Sequence, residues 1–393
     1  MHRFLLISNQ YFPNVVGGAE LSVQTLAEEL TRRGHRVCVI SLSRTDRDGV
    51  DEVNGVRVHR LAIRNVYPPF VGPQRPLMRA AWHLRDMYNV AMAKKVGKVL
   101  DEERPDWVSA HNLAGFSVAI WAEVKMRGLG LSQVLHDYYA LCPRSTMNHR
   151  GANCDTPCVS CRFFSAPKKA VSQTPDVVIG VSRFVLRKHL ALGFFAHCRT
   201  GVVYNGRELD PVQQLRRKEP GSPLDLGYIG RIEPLKGIET LLKAVSRLPK
   251  GRWRLRVAGR APDAAFLRRL QQRYPLPEVE YLGFVKPEQL YLQSDVIVVP
   301  SEWQEPFGNV VFEPLGFGVP VIASNIGGIP EILEGANCGW LFEPGHVDQL
   351  TSLLQLGLEG IPDLEGMRSR ALQRRAFFTP SRQADDFLGL TLN

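Results

Sequence analysis

The chain has 393 residues and a formal net charge of +10, with 44% hydrophobic and 22% charged residues. This composition excludes a disordered polyelectrolyte and predicts buried cores, and the length favours two domains of ordinary size. The positive charge predicts an anionic partner, which is a phosphorylated substrate, a nucleic acid or an anionic membrane surface.

The chain carries no sequence signal for export or membrane insertion. No apolar run reaches eighteen residues, so no transmembrane helix is expected, and the apolar run after Met1 is too short for a signal peptide. Seven cysteines, an odd number, argue against a disulfide framework in such a chain. We therefore expect a cytoplasmic protein, peripheral on the inner face of the membrane if it binds one.

The first half of the chain alternates strands and helices. Residues 4–8 form a continuous apolar run, which is typical of a buried parallel strand, and strands at 37–41 and 56–61 follow a helix. Gly17 and Gly18 open that helix, either as a tight turn or as bare amides suited to a phosphate. This βαβ order predicts an open parallel sheet.

A long segment separates these strands from the next one. Residues 77–100 are predicted to form a single helix that carries Trp82, Met87, Lys94 and Lys98. Either this basic amphipathic helix faces a membrane, or it packs on the sheet as an ordinary surface helix.

Polar residues follow two predicted strands of this half. His111 comes directly after a strand at 105–110, and His136 and Asp137 end the next strand. Ligands of doubly wound sheets bind at the carboxyl ends of strands. A lone histidine is nevertheless more often structural, and Asp137 also fits an Asx turn, so the residues alone leave both interpretations open.

Four of the seven cysteines, Cys142, Cys154, Cys158 and Cys161, lie within twenty residues of one another. The last two have the spacing of one half of a zinc knuckle, and four thiolates can close a tetrahedral zinc site that holds a polar loop. Because a second CxxC pair is absent, free or redox-active thiols remain the alternative to structural zinc.

The cysteine-rich loop is also basic, which suits a phosphate-bearing lipid acceptor, an anionic membrane or mere solvation. Its basic residues are Arg144, Arg150, Arg162, Lys168 and Lys169.

The chain then leads into a second domain. A strand followed by a helix is predicted from residue 176, with the strand at 176–182. Residues 207–223 are polar and basic with proline and glycine, as expected for a linker, and a strand at 224–229 opens the second domain. Arg231 and Lys236 follow it around a helix start, where both can reach a diphosphate or simply be solvated.

The segment 302–331 holds the most informative pattern. Glu305 and Glu313 are separated by seven residues, and Glu305 follows the strand at 296–300. The main-chain amides of three consecutive residues lie at the next helix start, where they suit a phosphate oxygen; these residues are Phe307, Gly308 and Asn309. Glu313 follows one turn later, where a carboxylate can accept hydrogen bonds from a ribose diol. Judged alone, such a pair of glutamates is more often solvated.

These motifs resemble the nucleotide-sugar site of retaining glycosyltransferases of family 4. The resemblance rests on Glu305 and Glu313, on the glycine-rich segment from Gly318 to Glu331, and on the motif from Gly230 to Gly237. It implies an α/β fold of the GT-B type, with two Rossmann-like doubly wound domains facing across a cleft. We expect an acceptor-binding domain at 1–206 with the cysteine-rich loop 142–161, a linker at 207–223, a donor-binding domain at 224–372 and helices at 373–393 that cross back to the first domain.

The resemblance also implies roles for individual residues. Arg231 and Lys236 would neutralise the departing diphosphate, Glu305 would hold sugar hydroxyls, and Phe284 lies where the family seats the nucleobase. Gly17 and Gly18 would face the diphosphate and the acceptor. His111 is a candidate contact of the donor sugar or the acceptor, and the acceptor side would be lined by His136 and Asp137.

The expected reaction is hexosyl transfer from a UDP- or GDP-sugar to a glycan or lipid-linked hydroxyl, with retention and without a catalytic metal. Bacterial surface polysaccharide is the expected pathway, and closure around Asn205 and Gly206 would exclude water. A nucleotide-sugar epimerase shares this architecture and remains the alternative. A nucleic-acid-binding protein would explain the charge, but the sequence contains no nucleic-acid recognition motif. A dinucleotide-dependent dehydrogenase is disfavoured because no G-x-G-x-x-G motif follows the first predicted strand.

Overall fold

The computed structural model describes residues 1–14, 17–68, 72, 74–209, 218–219, 221–361 and 363–392. The chain divides into two compact units. Unit 1 comprises Met1–His149, Cys154–Glu208 and Thr379–Asn393, and unit 2 comprises Arg150–Asn153 and Leu209–Phe378. Most of the predicted linker 207–223 lies outside the described residues, so the predicted domain boundaries stay a prediction.

Unit 1 is built on an eight-stranded sheet in the order β10-β9-β6-β5-β1-β2-β4-β3, in which only the β3–β4 pair is antiparallel. The four apolar residues after Arg3 are buried in β1, because helices cover both faces of a parallel sheet. A separate two-stranded ribbon lies in the cysteine-rich segment. The strands of unit 1 are β1 (Arg3–Ile7), β2 (Arg36–Leu42), β3 (Gly49–Val53), β4 (Val56–Leu61), β5 (Trp107–Ala110), β6 (Gly130–Leu135), β7 (Asn148–His149), β9 (Val177–Gly180) and β10 (Arg199–Val202), and the short strand β8 (Ala152–Asn153) falls in unit 2.

The helices of unit 1 include one correction to the sequence analysis. The predicted helix 77–100 is two helices, because Asn89 caps the second one: its Oδ1 accepts from the Met92 amide at 3.1 Å. Trp82 and Met92 are buried, whereas Leu77 and Leu84 are exposed, so this segment has apolar side chains both in the core and at the surface. The helices are α1 (Gly18–Arg32), α2 (Pro76–Met87), α3 (Val90–Glu103), α4 (Ala119–Lys125), α5 (Val159–Ala170) and α6 (Arg183–Ala191).

Unit 2 holds a six-stranded parallel sheet in the order β13-β12-β11-β14-β15-β16. The strand order reverses between β11 and β14, which is the switch point where ligands of doubly wound sheets bind. Alternate apolar residues of β11, β12 and β14 form a core with apolar residues of the helices Ile238–Val245 and Val347–Glu359. The strands are β11 (Leu224–Ile229), β12 (Trp253–Ala258), β13 (Val279–Gly283), β14 (Val296–Val299), β15 (Val321–Ser324) and β16 (Gly339–Phe342).

The helices of unit 2 follow the strands in alternation, with one 3₁₀ turn at Pro234–Lys236 and another at Ala376–Phe378. The α-helices are α7 (Ile238–Val245), α8 (Ala264–Arg273), α9 (Pro287–Tyr291), α10 (Asn309–Leu315), α11 (Ile329–Leu333), α12 (Val347–Glu359) and α13 (Leu364–Arg375). The last helix, α14 (Pro380–Thr391), belongs to unit 1, where it packs on α1.

The two sheets confirm the predicted α/β fold with two doubly wound parallel sheets. Thr379–Asn393 belongs to unit 1, whereas α13 and the 3₁₀ turn after it belong to unit 2. Within the described ranges, no helix has both the length and the hydropathy needed to cross a membrane.

Candidate active site

Lys236 and Glu305 meet at the switch point of the unit 2 sheet. Lys236 ends the 3₁₀ turn that follows β11, and Glu305 lies in the loop after β14. Their side chains form an ion pair, with Lys236 Nζ 2.5 Å from Glu305 Oε1. Because neighbouring parallel strands end at the same edge of the sheet, two residues from distant parts of the sequence come into contact.

The close contact of β11 and β14 beyond their ends depends on Gly237. This residue has a φ of 67°, and a Cβ placed on it would lie 1.7 Å from the carbonyl oxygen of Pro300. Only glycine combines this left-handed conformation with such an approach. Gly237 therefore fixes the position of Lys236, the residue before it, against the loop that carries Glu305.

Glu305 is buried and held by several polar groups. Its Oε1 also accepts a hydrogen bond from Ser301 Oγ at 2.9 Å. Its carbonyl oxygen accepts from the Gly328 amide at 2.8 Å, and a Cβ on Gly327 would lie 2.3 Å from that same oxygen. The glycine pair recognised in the sequence thus supports the backbone of Glu305.

Glu313 lies on α10 and is also buried. Its Oε2 accepts a hydrogen bond from the hydroxyl of Tyr291 at 2.9 Å, and Tyr291 ends α9. A hydroxyl that donates to one oxygen of a buried carboxylate restricts the rotation of the group, and the carboxylate keeps further lone pairs that can accept hydrogen bonds.

Arg231 differs from Lys236 in its surroundings. Its guanidinium pairs with Glu233 at 2.9 Å, and more than half of the side chain is exposed. Both basic residues follow β11, as the sequence predicts, but it is Lys236 that forms an ion pair with Glu305. The contact of Arg231 with a diphosphate stays a prediction.

The remaining predicted donor contacts in unit 2 involve Phe284 and the start of α10. The ring of Phe307 is buried against Phe312 and Phe378, so this residue can offer a ligand only its main chain. Gly308, which has a φ of 111°, directly precedes Asn309, the first residue of α10. The ring of Phe284 is 72% exposed, with the guanidinium carbon of Arg260 4.8 Å from its centre.

In unit 1, His111 and His136 lie against each other at the ends of β5 and β6. His111 Nδ1 is 2.9 Å from His136 Nε2, and His111 Nε2 is 3.2 Å from Ser109 Oγ. Burial lowers the pKa of His136 to about 4, and burial together with the neighbouring His136 holds the pKa of His111 well below its usual value. Both rings are therefore neutral near pH 7, and both nitrogens of His111 are already hydrogen-bonded.

The other unit 1 predictions are placed as follows. Asp137 forms an Asx turn, in which its Oδ1 accepts from the Tyr139 amide at 2.7 Å, and burial raises its pKa to about 6. Gly17 precedes α1, which begins at Gly18, and the Gly17 amide donates to Glu20 Oε2 at 2.7 Å. A phosphate oxygen at Gly17 would take the place of this carboxylate oxygen.

The structure does not support the predicted zinc site. Cys142 and Cys161 bring their sulfur atoms to 3.6 Å, but among the described residues the only group of three or more His, Cys, Asp or Glu ligand atoms within 4.8 Å of one another lies elsewhere. In that group, which consists of His59, Glu102 and Glu103, both glutamates form ion pairs with Arg57. Spacing along the chain could not reveal this, because Cys154 and Cys158 are separated by turns whose geometry the sequence does not specify.

Sequence reasoning missed the residues that orient the predicted ones. Ser301 and Tyr291 bind the two glutamates, and Ser109 binds His111. Ser301 lies two residues after β14, and Ser109 precedes His111 by two positions, so their places near strand ends were available as a signal. Tyr291 carried no such signal, because its contact with Glu313 depends on how α9 packs.

Two doubly wound sheets with a site at a switch point are typical of the GT-B class of enzymes. Comparison with known proteins agrees with this class. The profile described as Glycosyltransferase Family 4 matches residues 16–211, and the one described as Glycosyl transferases group 1 matches residues 213–374. The chain belongs to glycosyltransferase family 4, whose group 1 domain forms its second half, and is thus a retaining hexosyltransferase-type enzyme.

Three similar proteins illustrate the relationship. An uncharacterized 42.6 kDa protein in the cps region of Klebsiella pneumoniae is 31% identical over 331 residues, which cover 84% of this chain and 87% of that protein. Sucrose-phosphate synthase from Thermosynechococcus elongatus has a TM-score of 0.76 at 20% identity, covering 99% and 98% of the two chains. Anabaena Alr3699/HepE, solved in complex with UDP and glucose, has a TM-score of 0.72 at 20% identity and covers 99% of each chain.

Proposed function

We propose that this enzyme transfers a hexosyl unit from a UDP- or GDP-sugar to a hydroxyl of a lipid-linked or glycan acceptor during synthesis of a bacterial surface polysaccharide. The observation that carries the proposal is the partly buried ion pair of Lys236 and Glu305 at the switch point of the unit 2 sheet. The relative in the cps region of Klebsiella supports the pathway, and the UDP and glucose bound to HepE support the donor class.

Lys236 supplies the positive charge that the leaving group needs. When the bond to the anomeric carbon breaks, negative charge builds on the diphosphate, and an ammonium already fixed in position stabilises it without reorganisation. In the absence of donor, Glu305 neutralises this ammonium at 2.5 Å. Arg231 and the main-chain amides around Gly308 complete the grip on the diphosphate.

Glu305 binds the sugar of the donor and Glu313 binds its ribose. Lys236 and Ser301 both contact Oε1 of Glu305, and the proposed contact with sugar hydroxyls is through Oε2. Glu313, oriented by Tyr291, accepts from the ribose diol. Phe284 stacks on the nucleobase.

Retention follows if the acceptor hydroxyl attacks from the face that the diphosphate leaves, with a phosphate oxygen taking its proton. His111 is ill suited to be the base, because both of its ring nitrogens are hydrogen-bonded and its pKa is depressed by burial. We therefore assign His111 and His136 to binding and orientation, with His136 and Asp137 on the acceptor side.

The experiment is a donor assay with and without acceptor. The protein is incubated with UDP- and GDP-hexoses and a lipid-linked oligosaccharide extract, and the anomeric configuration of the product is read by NMR. Retained configuration and dependence on acceptor support the proposal. Isomerised donor in the absence of acceptor indicates a nucleotide-sugar epimerase instead.

We also propose that the enzyme works on the inner face of an anionic membrane. Helices α2 and α5 pack together and expose both apolar and basic side chains. The apolar ones are Leu77, Leu84, Val159 and Phe163, and the basic ones are Arg79, Arg85 and Arg162. This combination matches an interfacial surface that uses both hydrophobic and electrostatic attraction.

Vesicle sedimentation tests this location. Binding to vesicles with anionic lipid should exceed binding to neutral vesicles, and it should weaken in the Phe163→Ser variant. Equal retention in the supernatant with both kinds of vesicle contradicts the proposal.

A further inference from the structure

A line of buried polar side chains leads to His111 and His136 through the unit 1 sheet. Trp107, Ser109 and His111 share one face of β5 and its extension, because alternate residues of a strand point to the same side. Ser132 and His136 share the same face on β6, and Ser109 lies directly opposite Ser132 in the parallel register. The two serines and both histidines are buried.

These side chains form a continuous chain of hydrogen bonds. Trp107 Nε1 lies 3.1 Å from Ser132 Oγ, and Ser132 Oγ lies 3.0 Å from Ser109 Oγ. Ser109 Oγ is 3.2 Å from His111 Nε2, and His111 Nδ1 is 2.9 Å from His136 Nε2.

The tryptophan sets the direction of this chain, because an indole N–H can only donate. Ser132 Oγ accepts a hydrogen bond from the indole N–H and donates its own hydroxyl hydrogen bond to Ser109 Oγ. The hydroxyl of Ser109 then donates to His111 Nε2. If His111 carried its proton on Nε2, Ser109 Oγ would accept two hydrogen bonds, one from Ser132 and one from His111. The hydroxyl hydrogen of Ser109 would then have no acceptor among the described groups around it. A buried hydroxyl without an acceptor is strongly disfavoured.

We propose that Trp107, Ser132 and Ser109 are positioning residues that fix His111 and His136 as Nδ1–H tautomers, so that His136 meets the acceptor as a neutral hydrogen-bond donor. Each histidine accepts at Nε2 and carries its proton at Nδ1, and the last proton of the line is on Nδ1 of His136. Burial keeps both rings neutral, as their lowered pKa values indicate. The consequence for catalysis rests on the proposed function, whereas the tautomers themselves do not.

The tautomers can be read directly by long-range ¹H–¹⁵N correlation on protein labelled at histidine nitrogens. Spectra of His111→Gln and His136→Gln assign the two rings. In the wild type at pH 7.5 we expect both rings to carry the proton on Nδ1. In Ser109→Ala and in Ser132→Ala the direction is no longer imposed, and the Nε2–H form of His111 should rise to on the order of half of the population.

The matched control is Ser41→Ala, which removes a buried hydroxyl from the same sheet; that hydroxyl has no hydrogen-bond partner among the described residues. This variant should leave both tautomers unchanged. Transfer activity, as kcat/KM, should fall roughly 3- to 10-fold in Ser109→Ala and recover in Ser109→Thr, which restores the hydroxyl. Ser132→Ala serves if Ser109→Ala does not fold.

Two results overturn the inference: a wild-type His111 that carries its proton on Nε2, or tautomers that stay the same in both serine variants. Neither depends on activity. If the wild type transfers no sugar yet shows the Nδ1–H pattern, the proposed function fails and the tautomer assignment stands.

Discussion

Lys236 Nζ lies 2.5 Å from Glu305 Oε1, although 69 positions separate the two residues in the chain. The pair places one positive and one negative group at the point where the strand order of unit 2 reverses. Glu305 is buried, so each partner lowers the cost of keeping the other away from water. A donor diphosphate would bind the same ammonium that Glu305 holds in position.

Replacing Glu305 by glutamine should separate chemistry from binding. The amide keeps the size of the side chain but removes the charge that holds sugar hydroxyls, so transfer should fall on the order of 100-fold. Affinity for a nucleoside diphosphate should remain within a few-fold, because Lys236 is freed from its partner. Activity assays and calorimetric titration measure the two quantities.

Glu302→Gln is the control for that change. This glutamate lies in the same loop, but its Oε1 accepts from Thr240 Oγ1 at 2.6 Å. We expect it to retain most of its activity. Equal losses in both variants would mean that the loop, and not the carboxylate of Glu305, is what the reaction needs.

Tyr291 should affect nucleotide affinity through Glu313. Tyr291→Phe removes the hydroxyl that orients Glu313 Oε2 and should weaken binding of a nucleoside diphosphate by roughly 5-fold, which corresponds to one neutral hydrogen bond. Tyr281→Phe is the matched control, since the Tyr281 hydroxyl has no partner among the described residues. If deoxyribose and ribose nucleotides bind equally well to the wild type, the ribose role of Glu313 is wrong.

Gly237 should be intolerant of any side chain. Gly237→Ala places a Cβ 1.7 Å from the Pro300 carbonyl oxygen in a left-handed conformation, so unit 2 should lose about 3 kcal/mol or more of unfolding free energy. Gly251→Ala has a similar φ of 73° with nothing within 4 Å of the added Cβ, and should lose about 1 kcal/mol. Denaturant unfolding compares the two, and equal losses would show that Lys236 is not held by the close approach at Pro300.

His136 should make the stability of unit 1 sensitive to acid. Its pKa is about 4 in the folded protein and near 6.5 when unfolded, so the unfolded chain binds more protons between these values. The stability contribution is complete above pH 6.5 and is lost as the pH falls towards 4. On acidification over this range, the unfolding free energy of His136→Gln should therefore fall by up to about 3 kcal/mol less than that of the wild type.

Unfolding at pH 7.5 and at pH 4.5 checks this difference. The exposed His197 provides the control substitution His197→Gln, which should leave the pH dependence of the wild type unchanged. If His136→Gln and the wild type lose the same stability on acidification, His136 is not held neutral by burial.

The sequence predicted what depends on local pattern and missed what depends on tertiary contact. The alternation of apolar strands and helices gave both sheets, and the motif around Glu305 gave the group of residues at the switch point. The helix expected at 77–100 is broken because Asn89 prefers to cap a new helix, and this preference competes with a strong helical periodicity. The zinc prediction used cysteine spacing alone, which does not determine where sulfur atoms lie in a loop with several turns.

Thermal shift with nucleoside diphosphates tests the central claim most directly. We expect UDP or GDP to raise the melting temperature of the wild type in a concentration-dependent manner, because a ligand that binds only the folded state stabilises it. The shift should largely disappear in Lys236→Met and persist in Lys243→Met, which removes an exposed lysine paired with Glu239 on the surface of the same unit. No shift with any nucleoside diphosphate, or an undiminished shift in Lys236→Met, would contradict the account.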